Sequence, residues 1–125
     1  MFKKYQLFSN AIYSSIGSGH RECVYQKAFE IHLRKHSVEY ESHKIVPVNY
    51  LGCSAGFCEL DILTHDIDFN QSIIIELKTV TKITRPNIVQ VQKYMQELGI
   101  DLGLIVNFPI GGGELEFYTI DLSIM

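Results

Sequence analysis

The chain reads as an α/β protein, with a mixed central β-sheet flanked by helices. Three observations predict this class. Apolar residues recur at helical spacing in three separate segments. Five other segments, rich in Val, Ile, Phe, Tyr and Thr, read as strands divided by turns. One of them holds the unbroken run Ile73-Ile74-Ile75, which suits a strand at the centre of its sheet. The predicted order is helix, helix, three strands, helix, two strands. A length of 125 residues suits one domain spanning 1–125.

Residues 3–16 place Tyr5, Phe8, Ile12 and Ile16 on one helical face, with Leu7 and Ala11 beside them. Gly17-Ser18-Gly19 breaks that pattern, and Ser18 or Gly19 is expected to begin the next helix. Glu22 then falls in its early turns, where the dipole favours an acid. This helix should run to about Lys35 and bury Val24, Ala28, Phe29, Ile31 and Leu33. Residues 38–51 form the first strand, and Pro47 marks it as an edge or a bend. A turn is expected at 52–56, a second strand at 57–64 and a polar turn at 65–71. The third strand covers 72–79. Pro86 suits the first turn of a helix over 87–98, and Gly99 its cap. A fourth strand at 101–108, a turn at Gly111-Gly112-Gly113 and a fifth strand at 114–122 complete the chain.

Composition limits the functions available. Hydrophobic residues make up 46% and include seven Phe and seven Tyr, enough for a real core. No stretch of 18 apolar residues exists, so no transmembrane helix is expected. The N-terminus, from Met1 to Gln6, runs into the first amphipathic pattern and lacks a signal-peptide core. Three cysteines, an odd number, argue against a disulfide framework and for a reducing, intracellular compartment, cytoplasm or nucleus. Cys53 and Cys58 have no second pair and no suitably spaced His, so they read as small core or loop residues. A net charge of −3 means that nucleic acid must be drawn by a local basic patch or by bound cations. No Gly-rich loop is followed by Lys and Ser or Thr, which excludes a P-loop NTPase.

The chemistry lies in Asp61 and in Glu76-Leu77-Lys78. A hairpin turning between Asp68 and Phe69 sets Asp61 directly opposite Glu76, and such partners stand roughly 5 Å apart at Cβ. One divalent cation can take an oxygen from each. Lys78, two residues past Glu76, points to the same face and can approach a bound phosphate. The same register puts Glu59 opposite Lys78 and on the face of Asp61. A carboxylate and a lysine alternating with Leu and Ile also describe an ordinary half-exposed strand, and Glu59 with Lys78 an ordinary ion pair.

Further motifs widen the picture. Gly19-His20-Arg21-Glu22-Cys23-Val24-Tyr25 matches a GxxExxY pattern. Asp61, Glu76-Leu77-Lys78, Gln90-Val91-Gln92-Lys93-Tyr94 and Leu104-Ile105-Val106-Asn107-Phe108 follow it in order. On these residues the chain resembles the GxxExxY proteins, and through them the PD-(D/E)XK nuclease superfamily, over roughly residues 8–122. The resemblance implies a restriction-endonuclease-like α-β-β-β-α-β core, with an extra N-terminal helix and a C-terminal strand. It implies that Asp61 and Glu76 bind metal, with the Leu77 carbonyl as a further ligand and Glu22 as an added acid. Lys78 stabilises the attacking water or the developing phosphate charge. Gln90 and Tyr94, on one helical face, orient or contact substrate, and Tyr25 packs with its hydroxyl bonded near the site.

The expected activity is hydrolysis of phosphodiester bonds in DNA, with RNA the second choice. An oxygen-only ligand set points to Mg²⁺ or Mn²⁺. Arg21, Lys27, Lys78, Lys82, Arg85 and Lys93 supply a local cationic track, and a homodimer would extend the surface available to a duplex. Two features depart from the pattern. Glu59 stands where an Arg is common, and residues 117–120 lack an expected basic residue. Both remove positive charge and bear on nucleic-acid affinity more than on metal binding. Glu59 and the net negative charge favour the alternative, a catalytically inactive module that binds nucleic acid or protein. A hydrolase of small phosphate esters is a third reading.

Overall fold

The computed structural model describes residues 1–124. Helices α1 (Phe2–Ile16) and α2 (Glu22–Lys35) precede strands β1 (Glu39–Tyr50), β2 (Cys53–Asp66) and β3 (Gln71–Lys78). Helix α3 (Arg85–Leu98), strands β4 (Leu102–Asn107) and β5 (Glu116–Asp121), and a 3-10 turn at Leu122–Ile124 follow. The sheet order is β1-β2-β3-β4-β5. β3 and β4 are parallel and every other neighbouring pair is antiparallel. The expected class is therefore the observed one: an α/β fold with a mixed five-stranded sheet.

The sheet separates two cores. α1 and α2 cover one face, where Tyr5, Phe29 and Leu33 meet Ile62, Ile73, Ile75 and Leu77. α3 covers the other, where Val91, Tyr94 and Met95 meet Leu63, Ile74 and Ile105. β3 lies between them and buries Ile73 to Leu77 without a break, as a strand covered on both faces must. Thr84 caps α3 through a reciprocal box with Asn87, Pro86 occupies its first turn, and Gly99 ends it at φ 66°.

Ile62 pairs with Ile75, Leu63 with Ile74, and so on to Asp66 with Gln71. This is the register of a turn centred between Asp68 and Phe69, and it sets Asp61 across from Glu76. Four expectations are corrected. The turn between the first two strands is tighter than 52–56: β2 resumes at Cys53, with Leu51 and Gly52 at positive φ in the two-residue reversal. α2 starts at Glu22 itself, with Arg21 at its N-cap and no side-chain cap. It buries Tyr25, Gln26, Phe29 and Leu33, while Val24 and Ile31 are exposed, because its inner face is rotated toward Tyr25. Cys53 and Cys58 lie in β2, not in a loop or the core, and all three cysteines are free and exposed.

The fourth correction concerns alternation. Leu60 and Leu63 both join the α3-side core, whereas Ile62 joins the opposite one. A regular strand would put residues 60 and 62 together. The slip falls at Asp61, and its cause stands opposite in β1. There His43, at φ 52°, is missing from a ladder that pairs Ser42 with Ile62 and Lys44 with Leu60. The hairpin twists at this point, and its far half folds onto α3 through Val46 and Leu60.

Candidate active site

β2 and β3 stop pairing one residue short of the two acids. Each carboxylate instead takes a main-chain donor from the other strand. The Asp61 N–H donates to Glu76 Oε1 at 2.7 Å, and the Leu77 N–H donates to Asp61 Oδ2 at 2.9 Å. These crossed bonds hold both side chains at the point where the strands part. Among the described residues no main-chain donor reaches Asp61 Oδ1 or Glu76 Oε2, and the two carboxyl groups lie within hydrogen-bond reach of each other, a contact that lowers Asp61.

Burial dominates the electrostatics. Glu76 is 3% exposed, and burial, reinforced by the charge on Asp61, pushes its pKa up to about 8. Burial also raises Asp61, against the Leu77 N–H and the Lys78 charge, which lower it. Glu22 is raised by burial and then by Asp61. Lys78 acts on all three acids. Three carboxylates against one ammonium leave a deficit of positive charge that one divalent cation would balance.

The remaining expected residues divide. Glu22, at the start of α2, and Lys78, at the end of β3, lie within electrostatic reach of the acid pair. Lys78 Nζ reaches the exposed Gln90 Oε1 at 3.5 Å, the outer limit of a hydrogen bond. Among the described residues no ion pair joins Lys78 to Glu59. Tyr94 donates to the Glu59 carbonyl at 3.2 Å, which fastens α3 to β2 beside the acids. Tyr25 is fully buried and stacks on Phe108, with centroids 4.1 Å apart. Its hydroxyl donates to the Gly17 carbonyl at 2.6 Å, so it secures the α1–α2 connection and does not join the acids.

Three residues at or beside the site were given no role by sequence. Gln26, buried on α2, donates from Nε2 to the Asp61 carbonyl at 3.2 Å and faces His43 Nε2 at 3.3 Å. His43 lies near enough to Asp61 to favour its charge. Asn107, fully buried, accepts from the Val80 N–H at 2.9 Å and donates to the Val80 carbonyl at 3.0 Å. That clamp fixes the chain as it leaves Lys78. A buried Asn or Gln at a core position is the signal that could have found Asn107 and Gln26, since each must be satisfied by its neighbours.

The donor set fits a divalent cation. It is made of hard carboxylate oxygens, and one oxygen on each of Asp61 and Glu76 takes no main-chain donor. Among the described residues no three His, Cys, Asp or Glu side chains gather as a metal-holding group. The fit is therefore that of a two-carboxylate platform with Glu22 beside it. No helix among the described residues is long and apolar enough to cross a membrane.

Comparison with known proteins agrees with this geometry. No curated protein matches the chain. Twelve chains of solved structures do. One, the crystal structure of SSO0001, superposes with a TM-score of 0.51 at 18% identity, over 78% of this chain and 48% of that one. The chain thus spans about half the length of that protein, and the likeness shows a shared fold. A model of the PD-(D/E)XK nuclease superfamily, whose members generally use divalent metals, matches residues 2–118. With its mixed sheet and its acids facing each other at the end of β3, the chain belongs to the PD-(D/E)XK nuclease superfamily.

Proposed function

We propose that this protein is a nuclease dependent on Mg²⁺ or Mn²⁺ that hydrolyses phosphodiester bonds in DNA, built on the GxxExxY pattern from Gly19 to Tyr25. The observation that carries the reading is the crossed bracing of Asp61 and Glu76 with Lys78 alongside. Asp61 and Glu76 would hold the ion through the oxygens that take no main-chain donor, with Glu22 and the Leu77 carbonyl as further donors. When bound, it supplies charge neutralisation at the phosphate and a water acidic enough to ionise near neutral pH. The chain's own part is positioning. The N–H groups of Asp61 and Leu77 fix the carboxylates before substrate arrives, so little reorganisation remains. Lys78 offers an ammonium to the charge that builds on non-bridging oxygens as water attacks phosphorus and the P–O bond to the leaving oxygen breaks. Gln90 limits where that ammonium can lie.

The test is calorimetric titration of Mg²⁺ and Mn²⁺ into wild type and Glu76→Ala, with cleavage of single-stranded and duplex DNA measured on the same samples. Wild type should bind metal and cleave, and the variant should do neither while remaining folded by circular dichroism. A wild type that binds no metal would overturn the reading in favour of an inactive binding module. Sedimentation of wild type with and without DNA tests the homodimer that would extend the surface.

A further inference from the structure

The hairpin kink singles out one residue beside the candidate site. His43 is directly across β1–β2 from Asp61, drops out of the ladder there, and holds φ 52°. A left-handed backbone is unfavourable for a residue other than Gly, and such conformations concentrate at functional sites. The ring is exposed and not adrift, since its Nε2 lies 3.3 Å from the Gln26 amide.

The hydrogens of this contact can be deduced. The Gln26 atom facing the Asp61 carbonyl must be the nitrogen, because a carbonyl only accepts. That same nitrogen faces His43 Nε2, so it donates there too and Nε2 accepts. A neutral imidazole accepting at Nε2 carries its hydrogen on Nδ1. Among the described residues Nδ1 has no protein partner. Gln26 thus joins a candidate metal ligand to a histidine and leaves that histidine with one outward N–H donor.

From this we infer that His43 is a substrate-binding residue, donating from Nδ1–H to a phosphate oxygen of the strand bound over Asp61 and Glu76, and that Gln26 is its positioning residue. The role rests on the nuclease reading. It also explains why β1 accepts an unfavourable backbone at this residue: the kink brings the ring beside the acids.

The test uses the full chain. Long-range proton–nitrogen NMR of wild type should show His43 as the Nδ1–H tautomer when neutral, and an Nε2–H tautomer would overturn the Gln26 lock. Fluorescence anisotropy in Ca²⁺ then compares binding of a short labelled duplex. His43→Ala should bind about tenfold more weakly, the value of one hydrogen bond to a charged group. His43→Asn should recover most of that loss, because Asn tolerates positive φ and places an amide N–H near the lost Nδ1–H. Unchanged binding by His43→Ala, or equal loss in both variants, would overturn the role of His43 alone. A wild type that neither binds nor cleaves DNA would overturn the nuclease reading and this role together.

Discussion

Tyr94 illustrates how a single side chain serves the site without touching it. Its hydroxyl donates to the Glu59 carbonyl, on the part of β2 that no longer pairs with β3. Burial and the nearby charge of Glu76 push its pKa up to about 12, so it remains a neutral donor. Tyr94→Phe should cost about 1 kcal/mol and lower the melting temperature by roughly 4 °C. The accompanying change in Mn²⁺ affinity should be smaller than that of Glu76→Ala. Thermal denaturation with calorimetry checks both, and a variant as stable as wild type would remove the tether. Sequence disclosed Tyr94 and Gln90 as one helical face, because helical period is readable. It could not disclose that Tyr94 bonds a main-chain carbonyl, since any strand supplies carbonyls and nothing in their order marks the one left free. His43 was hidden for a related reason: His is enriched at positive φ only relative to other side chains, and five histidines in the chain give no sign of which one adopts it.

At the level of elements, α3 can approach the sheet closely because β4 presents Gly103 beneath it. A Cβ at that position would lie 2.9 Å from Met95 Sδ and 3.0 Å from Val91 Cγ1. Met95 is flexible and can yield. Val91 is β-branched and stiff, so the helix itself must shift. Gly103→Ala should therefore cost about 1–3 kcal/mol, read from urea denaturation. The same substitution should cost less in a Val91→Ala background, because the two sites share one space. Additive losses would show that the contact is not the cause. The helix that moves carries Gln90 and Tyr94, so packing on β4 and orientation at the site are linked. The β2–β3 register was legible from the acids and the turn alone, because a period of two allows few alternatives. The reversal of faces at Asp61 was not, since it arises from a backbone kink and leaves the apolar pattern of Leu60, Ile62 and Leu63 looking continuous.

For the whole molecule, net charge and site charge act together. The chain carries −3 overall, and Glu22, Asp61 and Glu76 are all raised above their ordinary values. Glu76 moves from 4.5 to about 8, so the folded state holds a proton that the unfolded chain releases near 4.5. Its contribution to stability is therefore complete below pH 4.5 and is lost as pH rises toward 8. Metal-free protein should accordingly melt at a lower temperature at pH 8 than at pH 6, by roughly 4 °C for each kcal/mol lost. Saturating Mn²⁺ should reverse the trend, because the ion binds the ionised pair and stabilises the fold by mass action. In Glu76→Gln the pH dependence should flatten, since an amide keeps the neutral form at every pH. Calorimetric melting from pH 5 to 8.5, with and without Mn²⁺, decides this. A wild type whose melting temperature rises steadily with pH in the absence of metal would mean that Glu76 is ionised in the folded protein, and that Asp61 and Glu76 are balanced by Lys78 without a cation.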